Sequence, residues 1–234
     1  MPHVSDAAGF ENTQLRLASG LTFPEELLIA SLRVTSGRST QVAPRSTQRT
    51  LVVLALVDLA LVGRMRQAGT GDPDKPHLVE FGDAGTELAE APLSAFQHEL
   101  VGSRTVRGWI KHHRAGIEKV TAQSLADRGL ITLDSSSRLT GQGQALGAEL
   151  REGYREILAG DLLAPPAEAL WLLAVERARL NPKVLSEPGS RVTMHTGFRQ
   201  DDPLWSSVSE GSADVLAILR SVSFTPVPDA GLYT

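Results

Sequence analysis

Eleven of the chain's arginine and lysine side chains fall in two short stretches, and anion binding is the chemistry they could do. Residues 33–66 carry Arg33, Arg38, Arg45, Arg49, Arg64 and Arg66 against Asp58 alone, a local charge of +5. Residues 101–119 carry Arg104, Arg107, Lys111, Arg114 and Lys119 against Glu118 alone, a local +4. The whole chain has a net charge of −4, so everything outside these islands holds −13. Basic islands in an acidic protein point to a directed anionic partner, and the negative total argues against a nonspecific nucleic-acid binder. Arg107, Lys111 and Arg114 recur at steps of four and three and so share one helical face. Guanidinium groups hold phosphate through strong, often bidentate hydrogen bonds. The expected site therefore lies between a loop at 38–49 and the helix face at 107–114. Its residues are Arg45, Arg49, Arg107, Lys111 and Arg114, and its ligand is an anionic lipid headgroup or another phosphate-bearing molecule. The competing reading is a solvated basic face with each arginine paired to its nearest carboxylate.

Other chemistries find no local support. The histidines are His3, His77, His98, His112, His113 and His195, and none makes the H-E-x-x-H spacing of a zinc protease. Adjacent His112 and His113 point about 100° apart on a helix, so they cannot share a metal and read as structural. There are no cysteines, which removes disulfides, thiolate nucleophiles and zinc–cysteine sites and fits an intracellular protein. "GQGQALG" (141–147) misses the G-x-G-x-x-G spacing and reads as a helix lead-in. There is no G-x-S-x-G elbow and no G-K-[ST] phosphate loop, and Asp72 and Asp74 are too few for a calcium loop. The expectation is a non-enzymatic protein without metal or cofactor.

The positioning elements are mostly helical. "LVVLALVDLALV" (51–62) holds eleven apolar residues and Asp58. A spanning helix needs about 20 residues, so this run is too short to cross a bilayer. It reads as a helix buried at the centre of a soluble fold and stopped by Gly63. Asp58 within it should meet an arginine or a backbone donor, with Arg49 or a residue of the 101–119 island as candidate, because an unpartnered buried carboxylate costs several kcal/mol. "LTFPEELLIASL" starts a helix with Thr22 as cap, Glu25 three residues on and Pro24 early in the first turn, and with Leu27, Leu28, Ser31 and Leu32 along one stripe. "VTSGRSTQVAPRST" is a loop or irregular hairpin, and "HLVEF" alternates like a strand. Residues 86–102 read as helical on either side of a proline. From Val106 to Arg128, the residues Trp109, Ile110, His113, Ile117, Val120, Ser124 and Leu125 form the clearest amphipathic face. "GLITLDSSSRLT" is a glycine stop and hairpin. "GQALGAELREGYREILAG" and "PPAEALWLLAVERARL" are further helices, the second with Trp171, Leu172 and Val175 toward the core. Residues 204–222 close the chain as a glycine-interrupted helix.

At 234 residues, 41% hydrophobic and 21% charged, the chain suits one globular domain. The predicted fold class is mainly α: a single helical domain around a buried apolar helix, with short peripheral β-hairpins. The division is a flexible lead-in (1–19), the helical domain (20–181), and an irregular segment with a C-terminal helix packed on the same domain (182–234). "MPHVSDAAGF" carries no secretory signal, so the expected location is cytoplasmic.

Two functions compete. A helix, "IEKVTAQSLADRGLI", running into a short hairpin is the ending of a winged helix, a DNA-binding module, and Arg107, Lys111 and Arg114 precede it. Few base-reading side chains lie at 122–128, and nucleic acid is the less favoured partner. The order of "LTFPEELLIASL", "LALVDLALVGRM", "AQSLADRGLITLDSSSRLT" and "LREGYREILAGDLLAPPAEALWLLAVERARL" resembles the Golgi phosphoprotein 3 family over about residues 20–181. That resemblance implies a helical peripheral membrane protein that binds phosphatidylinositol 4-phosphate, possesses no transmembrane span, and acts as an adaptor. It suggests a divergent bacterial-type member on the inner membrane face. It sets Ala43 near the family's headgroup tryptophan and Val52 at an arginine, with Arg49 the nearest substitute. The family's other two arginines fall at Ala115 and Glu118, one turn beyond Lys111 and Arg114. The hairpin tip "DSSSR" is polar where the family's is apolar.

Overall fold

Thr22 caps the first helix of the computed structural model, which describes residues 17–35, 38–61, 65–67, 76–78, 106–133, 137–160, 165–178, 180 and 184–185. Its hydroxyl accepts the Glu25 N–H at 3.4 Å, and the Glu25 carboxylate accepts the Thr22 N–H at 2.8 Å. This reciprocal box, with Pro24 in the first turn, starts α1 (Phe23–Ser31) where the sequence indicates. The stripe expected on one side is an underestimate, since every residue of α1 is buried.

The chain then turns through an antiparallel hairpin, β1 (Leu32–Thr35) and β2 (Arg38–Gln41), with Leu32 opposite Gln41. Arg33 fastens this corner. Its guanidinium donates to the carbonyls of Ala30 and Leu32 at the end of α1 and to that of Val184, far along the chain.

The buried helix α2 spans Pro44–Leu61. It begins about two turns earlier than its apolar run, so the expected loop at 38–49 is a strand followed by helix. The entry is a tight reversal. Ala43 has φ 46°, Ser46 and Thr47 donate their N–H groups to its carbonyl, and the Thr47 hydroxyl donates to the Val42 carbonyl at 2.8 Å. Pro44 lacks an N–H, which the first helical turn does not require. From Leu51 to Val57, and again at Leu59, α2 has no exposed surface. A second small hairpin, β3 (Met65–Gln67) with β4 (Pro76–Leu78), follows.

The amphipathic helix α3 (Val106–Asp127) packs on α1 and α2. Trp109, His113, Ile117 and Leu125 are buried as their spacing predicts, joined by Thr121 and Ala122, while His112 is exposed. Gly129, at φ 71°, ends the helix and turns it into the third hairpin, β5 (Ile131–Leu133) and β6 (Ser137–Leu139). Helix α4 (Gly141–Ala159) starts on the Thr140 hydroxyl, which accepts the Gly143 N–H at 3.1 Å. "GQGQALG" is thus a helix start. A methyl group at Gly143 would lie 2.0 Å from the Leu130 carbonyl oxygen, so only glycine lets helix and hairpin approach. Helix α5 (Pro166–Arg177) buries Trp171, Leu172 and Val175, and Leu180, Val184 and Leu185 extend its layer into the core.

Five helices and three two-stranded hairpins among the described residues make the fold mainly α. No described helix is long and apolar enough to cross a membrane. The lead-in over residues 1–16 and the helices expected at 86–102 and 204–222 lie outside the described residues, as do Asp72, Asp74 and Arg104.

Candidate functional site

Two concentrations of charge stand out, one on the surface and one inside. The surface one is the basic face. Arg45 and Arg49 stand on the first turns of α2, and Arg107, Lys111 and Arg114 on α3. Arg45, Arg107, Lys111 and Arg114 are exposed and Arg49 is half-buried. None of the five forms a salt bridge or side-chain hydrogen bond with another described residue. The pairing with nearby carboxylates that a merely solvated face would show is absent among those residues. Gln48 joins the two helices by donating its amide N–H to Glu118 at 2.6 Å. Arg49 adjoins Gln48, Arg45 lies one turn before it, and Arg114 lies one turn before Glu118. Each therefore stands within about 6 Å of the bridge measured along its own helix axis. Lys111 and Arg107 continue the α3 row away from it.

Beside this bridge a cleft of about 450 Å³ opens between β1–β2, α3 and β5–β6. Ala115, Glu118 and Lys119 form its α3 wall, and Leu28 and Leu32 line it from α1 and β1. Ala115 and Glu118 are the positions to which the resemblance assigns two headgroup arginines. An arginine row thus stands one turn from a cleft wall that carries alanine and glutamate.

The internal concentration was not foreseen. Around the start of α1, four carboxylates converge from three helices: Glu25 and Glu26 of α1, Asp58 of α2 and Glu168 of α5. Glu25 is the best partnered. Besides closing the capping box, it accepts the Ser124 hydroxyl at 2.5 Å and faces Arg128 Nε at 3.1 Å. Among the described residues Glu26 accepts from two hydroxyls, Ser19 at 2.6 Å and the Tyr154 phenol. Glu168 accepts the Ala18 N–H at 2.8 Å through Oε1. Of the two partners expected for Asp58, an arginine or a backbone donor, the described residues supply the backbone donor. Its carboxylate is held by the Phe23 N–H, with Glu25 and Glu26 as its charged neighbours. Arg49 precedes it by nine residues on the same helix, about 13 Å along the axis, beyond reach. Oδ2 of Asp58 and Oε2 of Glu168 are sealed from solvent without a hydrogen-bond donor among the described residues.

These surroundings set the proton affinities. Burial pushes the Glu26 carboxyl up to about 7; the Ser19 and Tyr154 hydroxyls oppose this and the Glu168 charge adds to it. Burial likewise drives Asp58 well above the usual carboxylate range, against the Phe23 N–H and with repulsion from Glu25 and Glu26. Tyr154 is raised by burial and then by Glu26. It stacks on Trp171 with ring centres 4.2 Å apart, and the Trp171 indole N–H donates to the Phe23 carbonyl at 3.2 Å. In sequence, Glu25 and Glu26 look like the solvated first turn of a helix; the proline-led α5 that covers them gave no local signal.

Groups able to hold a metal ion, three or more of histidine, cysteine and carboxylate, do not occur among the described residues. His113 is packed against Trp109 with ring centres 5.2 Å apart, a structural histidine.

A mainly helical domain of this element order, with a buried central helix and peripheral hairpins, is the architecture that the sequence resemblance implies. The family model of Golgi phosphoprotein 3 (GPP34) matches residues 23–201, and the chain belongs to that family. The match begins at the first residue of α1 and runs twenty residues past the point where the sequence motifs stop. No curated protein and no solved structure matches the chain.

Proposed function

We propose that this protein is a non-enzymatic binder of anionic headgroups at a membrane surface, with the face formed by Arg45, Arg49, Arg107, Lys111 and Arg114 as its site. The carrying observation is that these five cations occupy two helices bridged by Gln48 and Glu118 without an ionic partner among the described residues. Exposed cations without a carboxylate partner are available to an anion, and a phosphate monoester offers several acceptor oxygens to guanidinium groups. Family membership makes phosphatidylinositol 4-phosphate the first headgroup to try and a peripheral position on the inner membrane face the matching location. An adaptor role would follow from docking there.

The DNA-binding reading keeps one supporting feature, the helix-to-hairpin run from α3 into β5–β6. Its recognition segment is poorly placed to read bases, since Thr121, Ala122 and Leu125 face the core and Arg128 is committed to Glu25.

Co-sedimentation with vesicles tests the proposal. Vesicles of neutral phosphatidylcholine, of the same lipid with phosphatidylserine, and with phosphatidylinositol 4-phosphate are compared at low and physiological salt. Binding should require anionic lipid, weaken with salt, and disappear in the double variant Arg49→Ala/Arg114→Ala. Undiminished binding by that variant would move the site elsewhere. Tighter binding to duplex DNA than to any vesicle at physiological salt would favour the alternative.

A further inference from the structure

We propose that the cleft between β1–β2, α3 and β5–β6 is a binding site for a neutral sugar ring, free or carried as the headgroup of a glycolipid. None of the five cations of the anion site is among the residues that line this cleft, so the two sites are distinct.

What points to a ligand is the set of hydrogen bonds that the walls leave unmade. The cleft's volume of about 450 Å³ lies within the ~300–1,000 Å³ usual for small-molecule sites. Gln41, half-buried on the β2 wall, has a sealed Nε2 with no acceptor among the described residues. The torsion that turns its terminal amide is soft, so a small rotation brings this N–H toward the opening. An unmade donor is costly, and an oxygen of a ligand removes the cost. On the α3 wall, Glu118 receives the Gln48 amide on Oε2 and keeps Oε1 for another donor. Gln123 donates its amide to Asp127 at 2.8 Å and keeps its oxygen. The Ser39 hydroxyl oxygen accepts the Leu139 N–H at 2.9 Å and keeps its own proton to give. Ser137, on β6, adds a second hydroxyl.

Donors and acceptors thus share one space, and the charges of Glu118 and Lys119 on its wall cancel. A phosphate offers acceptors alone and would face the Glu118 carboxylate and the Gln123 oxygen. An ammonium offers donors alone and would face Lys119. A hydroxyl is donor and acceptor at once, and a ring bearing several of them suits the mixture. The apolar side chains agree. Leu28, Leu32 and Ala122 line the cleft as buried residues. The large hydrophobic side chains exposed among the described residues are Val34 and Leu133, at 40% and 46%. Leu133 lines the cleft, and Val34, opposite Ser39 in the hairpin register, shares the face that Ser39 turns to it. The C–H face of a pyranose resting there removes this apolar surface from water.

The test uses the full chain and two probes. Methyl α-D-glucopyranoside is titrated by saturation-transfer NMR, and phosphatidylcholine vesicles with and without monoglucosyl diacylglycerol are compared by co-sedimentation. The variants are Gln41→Ala and Ala115→Phe, the second of which fills the cleft from the exposed α3 wall. A saturable response to the free glucoside, or binding to the glucolipid vesicles beyond the neutral ones, supports the site and assigns the source of the ring. That response should weaken on the order of fivefold in Q41A, the worth of about one hydrogen bond, at an unchanged melting temperature, and should vanish in A115F. Phosphatidylserine vesicles should be bound by A115F as by the wild type, and the sugar probe by R49A/R114A, so failure of one reading leaves the other standing. No response to either probe, or a response equal in the wild type and both variants, would overturn the proposal. So would a lowered melting temperature in Q41A, which would make the amide a structural group.

Discussion

The start of α1 and the facing surfaces of α2 and α3 both gather like charges, and the fold treats them in opposite ways. The carboxylates are taken inside and tied to hydroxyls, amides and one arginine, and two of them, Glu26 and Asp58, are pushed toward protonation. The cations are left outside, four of the five exposed and none paired among the described residues. Burial makes the first cluster part of the stability of the molecule and couples it to pH. Exposure makes the second nearly irrelevant to stability and available to a partner. The difference separates charge that organises a core from charge that can bind, which composition alone does not do: both regions are simple excesses of one sign in the sequence.

Substitutions should reproduce that separation as a gradient. Trp171→Ala, behind the carboxylates, should cost about 3–5 kcal/mol by denaturant unfolding, because it empties a fully buried site and strips the stack from Tyr154. A loss below about 1 kcal/mol would mean that the cluster does not rest on a rigid wall. Gly143→Ala should cost about 1–3 kcal/mol, since its methyl group would overlap the Leu130 carbonyl and push β5 from α4. Near-neutrality there would indicate that the hairpin beside the cleft moves freely. Thr22→Ala should cost about 1 kcal/mol through the broken capping box. At the shallow end, R49A/R114A should change stability by less than about 0.5 kcal/mol while removing vesicle binding. A large loss of stability in that variant would erase the contrast.

Much of the fold was legible because local rules agreed with one another. Thr22, Pro24 and Glu25 mark the start of α1, the three- and four-residue steps from Trp109 to Leu125 mark α3, and Gly129 with the following polar turn marks the third hairpin. The start of α2 was hidden because Ser46, Thr47 and Thr50 read as turn residues. The two threonine hydroxyls are instead absorbed by backbone carbonyls: Thr50 donates to Ser46 at 2.9 Å and Thr47 to Val42. The basic residues were legible as a row, although Arg45 and Arg49 belong to a helix rather than to a loop. The acidic cluster was not legible at all. Periodicity assigns a face to a helix but not the neighbour that covers it, and Asp58 meets Glu25, Glu26 and the Phe23 amide only across an interhelical packing that joins distant segments.

The Arg33 clamp has a consequence for how the chain comes to be folded during synthesis. Helix α1 leaves the ribosome before the other described helices, yet every one of its residues is covered in the finished protein. Its beginning waits for Glu168 and Trp171, and its end for the Val184 carbonyl that Arg33 grips 151 positions later. At about 5–20 residues per second, that interval is on the order of ten seconds. Throughout it, an apolar helix has no permanent neighbours on at least one side. Productive folding is therefore closed by the C-terminal half rather than built up from the N-terminal one, and a nascent chain stalled before α5 exposes the very helix that the completed molecule hides most thoroughly.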